Sequence, residues 1–206
     1  MKGQKTDMKN KILSLLLCLT LLFCFVSCGK STEYDAEKIG KFEAVITVKN
    51  YGDIELLLDG DTAPITVKNF VDLAKDGFYD GLTFHRIIDG YMIQGGDPEG
   101  TGYGGSGKTI TGEFEKNGIK NNISHNKGVI SMARSNAYNS ASSQFFIVQE
   151  DSDMIRQTLD GSYAAFGQVT KGIEIVDKIA RETKVIDDNG TVIKEMQPII
   201  EKIIIK

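Results

Sequence analysis

The sequence predicts a mainly β protein, a closed β-barrel with two α-helices covering its open ends. Three observations lead there. Short apolar and β-branched runs recur along most of the chain with turn residues between them. Only two segments space their apolar residues as a helix does. With 206 residues, 41% hydrophobic and 25% charged, the chain has the composition of a globular protein and, once targeting segments are set aside, the length of one domain.

The elements follow in order. In FEAVITVKNYGDIELLLD, alternation at Ala44, Ile46 and Val48 and again at Ile54, Leu56 and Leu58, around Asn50 to Asp53, predicts a hairpin. Thr62 is a candidate cap, Pro64 suits a first helical turn, and Val67, Phe70, Val71 and Ala74 keep helical spacing as far as Gly77. FHRII and YMIQ, split by Asp89 and Gly90, suit paired strands. A glycine-rich loop runs to about Gly107. Strands are expected again at 128–133, 144–149 and 164–169. Ile173, Val176, Ile179 and Ala180 mark the second helix, and PIIEKIIIK closes the chain as a strand.

The N-terminus reads as an address. Lys2, Lys5, Lys9 and Lys11 precede an uncharged run from Ile12 to Val26, which fits a secretory signal and is short for a membrane span. FVSC followed by Gly29 resembles a bacterial lipobox, although Phe25 stands where Leu is more usual. Residues 1–27 are therefore expected to be a lipoprotein signal peptide, or failing that an ordinary cleaved signal or a short anchor helix, and Cys28 the lipidated N-terminus. Met8 opens a second MKNK segment and is another candidate start. Residues 28–41 are polar and read as a tether, with the folded domain over 42–206. These features place the domain outside the cytoplasm, lipid-anchored to a bacterial cell membrane.

Without the first 27 residues the chain carries a net −7, against −4 overall, so nucleic acid is not an expected partner. All three cysteines, Cys18, Cys24 and Cys28, lie at or before the end of the apolar run, which excludes structural disulfides in the body. His85 and His125 alone offer no zinc-site spacing. No metal or cofactor is expected, and the chain is expected to act as a monomer. GYGGSGKT, from Gly102 to Thr109, satisfies a phosphate-loop pattern, but no buried strand enters it and no helical face leaves it, so it reads as a surface loop. Ser140, Ser142 and Ser143 have no paired base. His85 reads as a structural imidazole and His125 as a solvated loop residue.

Three blocks are specific: FHRIIDGYMIQGGD (84–97), MARSNAYNSASSQFFI (132–147) and LDGSYAAFGQV (159–169). In order and separation they resemble the signatures of cyclophilins, over about residues 42–206. The resemblance implies an eight-stranded antiparallel barrel with two helices, and peptidyl-prolyl cis-trans isomerase activity on proline-containing polypeptides. It also makes Arg86 the catalytic arginine, with Gln94 orienting it. Tyr91, Met92, Phe146 and Leu159 become the wall of a proline pocket, Ala133 and Arg134 the segment pairing with substrate backbone, Gln144 a groove residue and Tyr163 a pocket position. The sequence departs from the family at Tyr91, where Phe is usual, at Arg134, where Asn is common, and at Thr158, where many eukaryotic members have Trp; the last should change drug binding. Rotating an amide needs no nucleophile or metal, only a donor for the proline nitrogen once resonance is lost, and a guanidinium supplies one. The competing reading is a proline-peptide binding module with little catalysis.

Overall fold

The computed structural model describes residues 36–206; the expected signal peptide, Cys28 and the first part of the tether lie outside them. Eight strands, β1 (Lys41–Val48), β2 (Gly52–Asp59), β3 (Thr83–Ile88), β4 (Met92–Asp97), β5 (Val129–Met132), β6 (Phe145–Val148), β7 (Ala165–Lys171) and β8 (Ile200–Ile205), form one sheet. Its order is β3-β4-β6-β5-β7-β2-β1-β8, with antiparallel neighbours throughout. The hairpin read from sequence is β1–β2, in register from Lys41 opposite Asp59 to Val48 opposite Gly52. Its order extends slightly upstream, since the Gly60 N–H donates to Gly40 O at 2.9 Å and Ile39 packs on the core.

The strand ladders make a curled half-barrel rather than the closed barrel expected. The end strands β3 and β8 meet only through a bridge between Thr83 and Ile199 and a few backbone bonds beside it, such as Ile200 N–H to Leu82 O at 2.8 Å. The reason lies in the long connection before β8. Its 190–192 segment occupies the outer edge of β3, with Ile87 N–H donating to Gly190 O at 2.8 Å and Val192 N–H to His85 O at 3.0 Å. Edge groups bonded to that turn are not available to a longer β8.

Among the described residues three α-helices accompany the sheet: α1 (Pro64–Lys75), α2 (Asp153–Leu159) and α3 (Ile173–Glu182). The sequence reading missed α2, whose two turns expose only Ile155 and Leu159 as a buried pair, too little for helical periodicity to register. It also misplaced the cap of α1. Ala63, not Thr62, holds the cap position and makes no side-chain bond there. The fully buried Glu113 reaches across instead, accepting the N–H of Ile65 at 3.1 Å and of Thr66 at 2.7 Å, so that a carboxylate meets the positive end of the helix. From α1, Phe70 enters the main core against Tyr79, Phe145 and Phe166, at ring centroid distances of 5.1, 5.5 and 5.3 Å.

Removing that remote cap should destabilise the fold. Glu113→Ala leaves one buried and one half-buried N–H group without their acceptor and should lower unfolding free energy by about 2–4 kcal/mol, with Glu113→Gln in between because its amide keeps one acceptor. Urea midpoints of the three proteins check this; equal midpoints would mean that α1 is capped by something else.

Candidate active site

Side chains alternate across a strand, and here both faces of the sheet are apolar. On β6, Phe145 and Ile147 enter the main core, whereas Phe146 and Val148 join a second cluster with Met92, Val129, Ile155, Leu159 and Ala165. On β4, Ile93 faces the first and Met92 the second. The second cluster walls a cavity of about 120 Å³ lined by Arg86, Tyr91, Met92, Gln94, Ala133, Arg134, Phe146, Leu159 and Tyr163. Nine of the ten site residues expected from the sequence thus come together; the tenth, Gln144, lines the adjoining groove.

Arg86 reaches this face through two irregularities. Phe84 pairs with Gly95 and Arg86 with Gln94, so His85 is an extra residue on β3; Thr83 pairs with Asp97, so Gly96 is an extra residue on β4. In a regular strand Phe84 and Arg86 would share a face. The bulge lets Phe84 enter the main core while Arg86 points into the cavity. Gly96 is needed for the second irregularity: its φ is 81°, and a Cβ there would sit 2.7 Å from Ser143 O.

The guanidinium is held from two sides. Its Nε donates to Asn189 O at 2.8 Å and its Nη1 to Gln94 Oε1 at 3.2 Å. Gln94 Nε2 donates to Gln144 Oε1 at 2.9 Å, and Gln144 Nε2 donates to Gly102 O at 3.0 Å and Gly104 O at 2.8 Å. Every amide in this relay has one consistent orientation, because the loop carbonyls accept only. The loop is fixed in turn by Asp97, whose carboxylate accepts the N–H groups of Glu99, Thr101 and Gly102 at 2.8, 3.0 and 2.6 Å. The first amide of the phosphate-loop pattern, that of Gly102, already faces this carboxylate, and no α-helix follows the loop directly.

Arg134 is engaged differently. Nε and Nη2 donate to Ser162 O at 3.0 and 2.7 Å, Nη1 donates to Ser135 O at 2.9 Å, and the guanidinium carbon lies 4.6 Å from the Tyr163 ring centroid. Ala133 N–H donates to Gln144 O at 2.9 Å. Thr158 is exposed on α2 and donates its hydroxyl to Met154 O, outside the cavity lining.

Residues 44–204 match the family model for cyclophilin type peptidyl-prolyl cis-trans isomerases. The chain belongs to the cyclophilin family. Its cyclophilin region is 44% identical over 144 residues to peptidyl-prolyl cis-trans isomerase B of Bacillus subtilis, covering 70% of this chain and 89% of that one. Identity to peptidyl-prolyl cis-trans isomerase A of Dickeya dadantii is 43% over 139 residues, 66% of this chain and 70% of the relative. Among solved structures, a cyclophilin type isomerase of Cryptosporidium parvum, crystallised in the presence of the dipeptide Ala-Pro, superposes with a TM-score of 0.68 at 32% identity. That match covers 80% of this chain and 98% of the other.

Behind the cyclophilin cavity lies a residue the sequence misjudged. His125 is not solvated: 1% exposed, its Nδ1 is 2.8 Å from Asp160 Oδ1 and its Nε2 is 3.0 Å from Ser131 Oγ. Its ring lies nearly parallel to Phe146, at 15° and 6.1 Å between centroids. His85 is also buried and its ring nitrogens form no well-aligned hydrogen bond. Asn189, Asp97, Asp160 and Ser131 also went unseen, since backbone carbonyls and distant partners leave no sequence pattern. Among the described residues no cluster of three or more His, Cys, Asp or Glu could hold a metal.

Burial pushes both imidazoles below the ordinary histidine value; Asp160 pulls His125, and Asp97 pulls His85, back without reversing the shift. The unfolded chain therefore takes up protons first as pH falls through about 6.5, and stability that is complete above that value declines below it. For Asp97 and Asp160, burial opposes ionisation, but hydrogen bonds from the loop amides, and from Ser124 and His125, outweigh it and hold both carboxyls low. Their contribution is lost only below about pH 4. Urea midpoints should thus fall as pH drops below about 6.5, while turnover per folded molecule stays flat from about 6.5 to 8. His125→Gln should remove part of the decline, and a bell-shaped rate profile would show that a general acid or base takes part.

Proposed function

We propose that this cyclophilin accelerates rotation about X-Pro bonds in exported polypeptides, with Arg86 as the catalytic residue. The observation that carries this is a guanidinium fixed at two corners on the rim of a cavity walled by Met92, Phe146 and Leu159. The Nη2 group of Arg86 has no hydrogen-bond acceptor among the described residues. The cavity's volume, about 120 Å³, is of the order that holds one small ring, since roughly 150 Å³ suffices for benzene.

The ring of the substrate proline enters between Met92, Phe146 and Leu159, with Tyr91 and Tyr163 at its edge. The acyl half stays outside and turns. As it twists, conjugation is lost and the proline nitrogen gains a lone pair, to which Arg86 donates without transferring its proton. Gln94 orients that donor, and Gln144 orients Gln94. Because the Ala133 N–H is already donated to Gln144, a substrate backbone that pairs at Ala133 uses its carbonyl.

Magnitudes show how the work divides. The uncatalysed barrier is about 18–20 kcal/mol, and reaching millisecond turnover from about 100 s requires about 7 kcal/mol of differential stabilisation. One charge-assisted hydrogen bond is worth about 1.5–3 kcal/mol net. Arg86 therefore supplies a part, and holding the ring in the pocket while the acyl half rotates supplies the rest. Arg86→Ala should lower kcat on the order of 100-fold with little change in peptide affinity, and Arg86→Lys should restore only part because it lacks the planar fork. Exchange NMR gives turnover and a titration gives affinity. Unchanged turnover in Arg86→Ala would remove Arg86 from the chemistry, and wild type that binds without accelerating would favour the binding-module reading.

The same proposal places the domain outside the cytoplasm on a lipid anchor. What supports it is the sequence alone: the lysine-rich start, the apolar run to Val26, and FVSC before Gly29. Among the described residues no helix is long and apolar enough to cross a membrane. Cys28→Ser should move the protein from the membrane fraction to the soluble one with turnover per molecule unchanged; full membrane retention in the variant would defeat the lipoprotein reading.

A further inference from the structure

The proline cavity opens into a larger groove of about 610 Å³ that shares Gln94, Ala133 and Arg134 with it and continues past Glu99 and Lys108. Charge around this continuous cleft is one-sided. Arg86, Arg134 and Lys108 line it against the single carboxylate of Glu99, in a chain whose formal net charge is −4. None of the three cations lies within ion-pair distance of a carboxylate among the described residues, whereas Lys68, Lys127, Arg156, Lys171 and Lys206 each do. The bonds Arg134 makes go to neutral carbonyls and aromatic faces, which fix its position without cancelling its charge. Lys108 is exposed on the groove's rim.

We propose that this groove selects polypeptides carrying an acidic side chain close to the proline, with Lys108 and Arg134 as the specificity-determining residues. This rests on the isomerase reading and adds its substrate class. Unneutralised cations in a cleft favour an anionic side chain and disfavour a cationic one, and the effect weakens as salt shortens the screening length from about 30 Å at 0.01 M to about 3 Å at 1 M.

The test uses the full-length chain and a panel of short X-Pro peptides in which Glu, Gln or Lys is walked through the positions flanking the proline. Exchange NMR reads kcat/KM without a coupling protease, whose own charge preference would intrude. At one or more positions Glu should exceed Lys about three- to tenfold, with Gln between, and the ranking should collapse in 1 M salt. Lys108→Gln and Arg134→Gln should each shrink the Glu-to-Lys ratio. Because Arg134 also fastens neighbouring loops, the exposed Lys108 provides the test least open to misfolding. Acceleration of every peptide without a charge ranking, or a ranking unmoved by salt and by both variants, would overturn the groove's assignment alone. Acceleration of no peptide would overturn the isomerase reading, and this inference with it.

Discussion

A strand cannot send neighbouring side chains to the same face, and the site is built on that constraint. On β4, β5, β6 and β7, alternate residues enter two apolar clusters, one inside the curl of the sheet and one on its outside. Ile93, Ile130, Phe145, Ile147 and Phe166 belong to the first, and Met92, Val129, Phe146, Val148 and Ala165 to the second. A slip of one residue would exchange the two sets and bury the pocket wall in the core. The register therefore specifies the cavity, and the packing of Phe145 against Phe70, Tyr79 and Phe84 holds the register.

The cationic part of the site is held by hydrogen bonds rather than by packing. Asp97 gathers the loop amides, the loop turns two carbonyls to Gln144, Gln144 fixes Gln94, and Gln94 meets Arg86. No carboxylate pairs with Arg86 within this relay. That distinction matters, because an ion pair would neutralise the guanidinium, whereas neutral amides orient it and leave its charge uncancelled, as the proposed donation to a twisting amide requires. Pre-ordered donors of this kind need no reorganisation when the substrate distorts. The half-barrel contributes as well: the turn that occupies the edge of β3 is the one that offers Asn189 O to Arg86 Nε.

How far the sequence could be read follows from the same physics. Elements with several repeats of one period were legible: β1 and β2 through their alternation, and α1 and α3 through their apolar stripes. The two-turn α2 and the cap supplied by Glu113 from nearly fifty residues away were not, since neither repeats. The site residues were legible only through the three motif blocks. Alternation alone would put Phe84 and Arg86 on one face, and nothing local announces that His85 and Gly96 are extra residues. His125 was misread because a polar neighbourhood in sequence, Asn and Lys on either side, says nothing about Asp160 arriving from 35 residues downstream.

Ser131, His125 and Asp160 have the order and the distances of a nucleophilic triad, 3.0 Å and 2.8 Å, yet the chemistry does not follow. Ser131 is fully buried, and the face of the imidazole is covered by Phe146. A nucleophile needs a path to its electrophile, and Phe146, which lines the cavity, covers the imidazole, while neither His125 nor Ser131 lines it. What the arrangement can do is hold shape. Asp160 follows Leu159 in the chain, Ser131 lies opposite Phe146 in the sheet, and His125 joins the two. Two walls of the cavity that come from different elements are thereby tied to one buried ring. A neutral imidazole suits that role, because it can donate from one nitrogen to the carboxylate and accept at the other from the hydroxyl. The identity that matters is thus its two-sided hydrogen bonding and flat apolar face, not its capacity to take up a proton.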